Sequence, residues 1–144
     1  MEKKILAYLK DIGLTKELVD RVESLYTSYQ SISSEEITDL FITDYLTKER
    51  KRIYENLWFF SENYIMEAKQ FISQDNLDIA PNKKNIIYFQ VEKKDYDLKK
   101  ASEKSRISLE LRFGNDIKGN LKASKENCDY LWKIVKEHIL PNLE

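Results

Sequence analysis

Between Arg106 and Phe113 the chain reads RISLELRF, and that octapeptide restricts the fold more than any other stretch. Ile107, Leu109, Leu111 and Phe113 alternate strictly with Arg106, Ser108, Glu110 and Arg112. A period of two puts the apolar set on one face of a strand and the polar set on the other, so the segment must be half-buried in a sheet. The pattern repeats in IKGNLKA, where Ile117 and Leu121 alternate with Lys118, Asn120 and Lys122. Gly114-Asn115-Asp116 stands between the two runs, tolerates positive φ, and predicts a hairpin loop. A sheet with one apolar face needs a cover, and the C-terminal segment supplies one. Cys128, Leu131, Trp132, Val135 and Ile139 form a stripe at helical spacing, with Ser124 as the expected N-cap and Pro141 as the stop.

Upstream, RIYENLWFF and YIMEAKQF flank Ser61-Glu62-Asn63 and predict a second hairpin. NLDIA reads as a short strand and NIIYFQVEK as a longer one. ITDLFITDYL fits two templates. Ser33 with Glu36 resembles a helix capping box, but Ile42, Thr43 and Tyr45 before the TKERKR turn fit a strand, which is the assignment we adopt. The first third is helical. Ile5, Leu6 and Leu9 share one face, Gly13 is a C-cap, and Thr15 caps a second helix carrying Leu18, Val22, Leu25 and Tyr29. The serine-rich SYQSISSEE then separates a helical pair, residues 1–32, from the main domain, residues 33–144. KKDYDLKKASEKS lacks periodicity and reads as a solvated loop.

The expected architecture is therefore α+β: a helical pair, about seven antiparallel strands, and a closing helix. From residue 36 to 140 this order resembles the pleckstrin-homology-like superfold, in which two sheets form a partly open barrel capped by a C-terminal helix. LWFFSENYIME is similar to the second and third strands of small bacterial members, and KENCDYLWKIVKEHI to the cap. The helical pair is an addition to that pattern and is expected to pack on the barrel.

Composition narrows the function classes. At 144 residues with 42% apolar and 34% charged residues, one domain with a sizeable core is expected. A net charge of −1 argues against a general electrostatic grip on nucleic acid or anionic membrane; peripheral membrane contact stays open but is not favoured. A single cysteine, Cys128, excludes an internal disulfide and suits a reducing cytoplasm. No apolar run approaches membrane-spanning length.

Three sets of residues carry functional expectations. Asp78, Glu92 and Lys94 have the composition of a metal-dependent nuclease site, with Glu92 and Lys94 on one strand face. Against that stand a second Glu-x-Lys at Glu67 and Lys69, and the lack of the helix that such nucleases place after the strand. The TKERKR turn gathers Lys48, Arg50, Lys51 and Arg52. In lipid-binding members of the superfold the corresponding loop grips phosphorylated headgroups, and Arg clasps phosphate bidentately; the same cations equally suit a protein contact or a solvated hairpin tip. Tyr54, Trp58 and Phe60 would share one strand face opposite Leu57 and Phe59, so one face meets the core. The other needs the N-terminal helices, a protein partner or a second copy. His138 is the only histidine, so no imidazole pair for a metal and no catalytic triad is expected. Cys128 reads as packing, the three glycines make no phosphate loop, and no cofactor is expected. The resulting expectation is a non-enzymatic module that binds another protein, with anion binding and nuclease activity as rivals.

Overall fold

The computed structural model describes residues 1–74, 78–79, 86–94, 106–113 and 118–143. It is an α+β structure of helices and two antiparallel sheets. The first helix, α1 (Lys3–Asp11), ends in a Schellman motif: Gly13 N–H donates to the Lys10 carbonyl and Leu14 N–H to the Leu9 carbonyl, with Gly13 at φ +83°. Its buried face is Ile5, Tyr8 and Leu9; Leu6, expected there, is exposed and Tyr8 takes its place. The second helix, α2 (Lys16–Ile32), is capped by Thr15, whose hydroxyl accepts from Leu18 N–H at 3.3 Å. Val22, Leu25 and Tyr29 form its buried stripe.

Residues 37–46 resolve in favour of a strand, β1 (Asp39–Leu46), and Ser33 is the C-cap of α2 rather than the start of a new helix. A four-stranded sheet runs in the order β1, β2 (Arg52–Phe60), β3 (Ile65–Ala68), β4 (Asp78–Ile79). The β2–β3 turn holds the expected Ser61-Glu62-Asn63, and the Glu35 carboxylate clamps it, accepting from Ser61 Oγ at 2.7 Å and Asn63 N–H at 3.0 Å. A three-stranded sheet follows in the order β5 (Ile86–Lys94), β6 (Arg106–Phe113), β7 (Lys118–Ser124). Along β6 every second residue is buried, Ile107 through Phe113, as the alternation requires. Arg112 pairs with Lys118, so β6 and β7 form the expected hairpin, while Gly114, Asn115 and Asp116 themselves lie outside the described residues.

Two expectations change. The strands do not make one barrel of about seven. They divide into two sheets, no pairing closes the gap among the described residues, and Asp78–Ile79 is a two-residue rung. Ser124 is not a helix cap: it ends β7, Lys125 turns the chain at φ +51°, and the closing helix α3 begins at Asn127 and runs to Ile134. A π-turn, Val135–Ile139, then a 3₁₀ turn containing Pro141 complete the C-terminal segment. Its longer period brings His138 and Ile139 inward together.

The two sheets meet around Trp58. A methyl group added at Gly119 on β7 would lie 2.7 Å from the Trp58 ring, so glycine is what lets the two sheets approach. On the other face of β2, Phe59 packs on Tyr29 of α2 with ring centroids 4.6 Å apart. Both faces of β2 are thus filled by this chain. Gly119→Ala is expected to lower stability by about 1–3 kcal/mol through overpacking. Urea unfolding measures it, and the loss should shrink in a Trp58→Phe background if the indole is the obstacle.

Candidate functional site

The densest polar cluster lies where β1, β2, β7 and α3 converge. The Asp44 side chain is 0% exposed, yet it accepts from Arg52 Nε at 2.8 Å, Ser124 N–H at 3.0 Å, Asn127 Nδ2 at 2.7 Å and the Ser124 hydroxyl. Asn127 also donates to the Ile42 carbonyl at 2.8 Å and accepts from the Tyr8 hydroxyl at 2.9 Å, which in turn accepts from Ile42 N–H. Burial pushes the Tyr8 phenol well above its ordinary pKa, keeping it a neutral donor. Arg52 reaches past Asp44 to Glu126 at 2.5 Å. A buried carboxylate needs such compensation. Asp44, Ser124, Asn127 and Tyr8 are all hydrogen-bonded to the fold, while Arg52 Nη2 is buried without a partner among the described residues.

Arg52 is therefore removed from the expected cation set. Burial opposes its charge, but the bonds to Glu126 and Asp44 outweigh burial and raise its pKa. Lys48, Arg50 and Lys51 remain, exposed on the β1–β2 loop. That loop is ordered by Thr47, whose N–H donates to the Lys51 carbonyl and whose hydroxyl accepts from Lys51 N–H, and Arg50 sits at φ +63°. Sequence reading missed Lys122 of β7, whose ammonium lies 5.9 Å over the half-exposed Tyr45 ring beside this loop. No local pattern joins residues so far apart in sequence.

The aromatic set is corrected as well. Trp58 and Phe60 are buried, and Tyr54 is half-buried with its hydroxyl donating to the Ile12 carbonyl, so none of the three presents a free face to a partner. A β-bulge explains why Tyr54 leaves the Trp58 face. Between Ile42 and Asp44, β1 advances two residues while β2 advances three, from Leu57 to Tyr54. The extra residue shifts the alternation and places Tyr54 in line with Leu57. For the nuclease set, Asp78 lies on the edge rung of the first sheet, whereas Glu92 and Lys94 lie on β5 of the second.

A second cluster sits at the start of β1. Asp39 bonds His138 Nε2 at 2.6 Å and Lys4 Nζ at 2.9 Å. His138 is buried and stacks on Phe60 with centroids 4.9 Å apart. Burial pushes the Asp39 carboxyl up, but the bonds from His138 and Lys4 outweigh it and hold the group below the usual carboxylate range. Beside it, a cavity of about 50 Å³ is lined by Lys4, Tyr8, Asp39, Tyr130 and Lys133 among others. No family model, no curated protein and no solved structure matches this chain.

Asp44→Ala strands the Arg52, Ser124 and Asn127 donors and should cost about 3–5 kcal/mol in denaturant unfolding, whereas Lys51→Ala, exposed on the loop, should stay within about 0.5 kcal/mol. The Tyr130 hydroxyl donates to Asp11, and this bond, with some burial, pushes its pKa up to about 12. A raised folded-state pKa means this stabilisation is complete below the ordinary tyrosine value of about 10 and is lost as pH rises through the folded value. Asp11→Asn should bring the Tyr130 titration back toward the ordinary value, read by NMR of isotope-labelled tyrosine.

Proposed function

We propose that residues 33–144 form a pleckstrin-homology-like domain and that the chain is a non-enzymatic module binding another protein. Support for the architecture comes from the order of parts. An antiparallel set β1–β4 is followed by β5–β7, and α3 then rests on β7 and β1 at the junction of the two sheets. Fold alone assigns no function. The observation that carries the binding role is the edge of β5. This nine-residue strand pairs with β6 on one side and with no strand on the other among the described residues. Such an edge offers a row of main-chain donors and acceptors, and an extended segment of a partner can add to it as a further strand. A second copy of the chain could use the same edge.

A second reading has its own observation. Lys48, Arg50 and Lys51 are exposed on an ordered loop, and three cations on one turn suit a phosphate or anionic headgroup. Nuclease action through Asp78, Glu92 and Lys94 has no comparable support, since the residues are carried by different sheets.

Affinity capture followed by hydrogen exchange on the complex separates these readings. Strand addition predicts slowed amide exchange across residues 86–94 when the partner is bound, and capture that survives changing Lys48, Arg50 and Lys51 to Glu. Protection confined to residues 47–51, or recovery of anionic lipid that the charge reversal abolishes, would replace protein binding with the anion reading.

A further inference from the structure

We infer that Asp39, Glu137 and His138 form a binding site for a divalent transition-metal ion, with the Lys4 ammonium on the Oδ1 side of Asp39 when no ion is bound. One ligand atom from each of the three residues lies within 4.8 Å of the others. Bonds of about 2.0–2.2 Å to a tetrahedral Zn²⁺ set ligand atoms roughly 3.3–3.6 Å apart, so these side chains must close by up to about 1.5 Å around a shared centre. The π-turn is what makes the set available. It carries Glu137 and His138 side by side and turns the imidazole toward β1, where stacking on Phe60 aims Nε2 at Asp39. An imidazole among the ligands favours a zinc-like ion over magnesium or calcium. Three protein ligands leave a coordination position for water.

The position of Lys4 shows that Asp39 already draws a cation. Its ammonium bonds Asp39 Oδ1 at 2.9 Å. Half of its side chain is exposed, so it can swing into solvent when a divalent ion takes the carboxylates. Without an ion, His138 Nε2 and a carboxylate oxygen of Asp39 share a hydrogen bond of 2.6 Å. An arriving ion takes the Nε2 lone pair in place of that bond, the ring N–H then standing on Nδ1.

The test is calorimetric titration of ZnCl₂ into the full chain. Binding of one ion per chain is expected. Lys4→Met should tighten binding by about tenfold, because the competing charge is gone. His138→Gln should abolish it, and Glu137→Gln should weaken it by about tenfold or more. Glu137 is exposed, so its variant decides the matter if His138→Gln fails to fold. Absence of binding by both the wild type and Lys4→Met overturns the proposal, as does binding that Glu137→Gln leaves unchanged.

Discussion

The fold turns on one buried charge. Asp44 of β1 sits with no access to water, and its carboxylate is neutralised by groups drawn from β2, β7 and α3. Desolvating a carboxylate costs several kcal/mol, which only well-placed donors offset. The sheet ladders hold each sheet together, but they do not tell the sheets how to meet. Asp44 does, because its partners coincide at only one relative placement of β1, β7 and α3. Hydrophobic contact between Trp58 and Gly119 sets the spacing of the same junction, and the carboxylate sets its register.

What could be read from sequence was what depends on neighbours along the chain. The alternation in RISLELRF, the Thr15 cap and the Gly13 stop are local devices, and each appears as read. Two of the departures share a cause: an irregular backbone step that changes the period. Tyr54 was assigned to the Trp58 face by counting in twos, and the bulge opposite Thr43 breaks that count. His138 was counted beside the helix stripe, and the π-turn rotates it inside. Ser124 has the composition of an N-cap, but its hydroxyl and N–H are already committed to Asp44.

Both polar clusters were invisible for a related reason. Asp44 resembles any strand aspartate, and nothing near it in sequence announces Ser124 or Asn127. Asp39 and His138 are likewise joined only by the fold. The TKERKR turn is divided. Three cations are exposed as a set, while Arg52 is diverted by a carboxylate that lies eight residues back on the facing strand. A charged run thus divides between interior and surface according to which strand partner each residue meets.

The links from Tyr8 to Asn127 and from Asp11 to Tyr130 join the two ends of the chain directly. Contacts of such long sequence separation form slowly, because a long loop must close before they contribute. During synthesis α1 and both hairpins of the first sheet emerge well before α3, and they must wait with part of their apolar surface uncovered. Completion of the core is therefore deferred until the last helix leaves the ribosome. Over that interval the nascent protein is most exposed to aggregation and to chaperone binding.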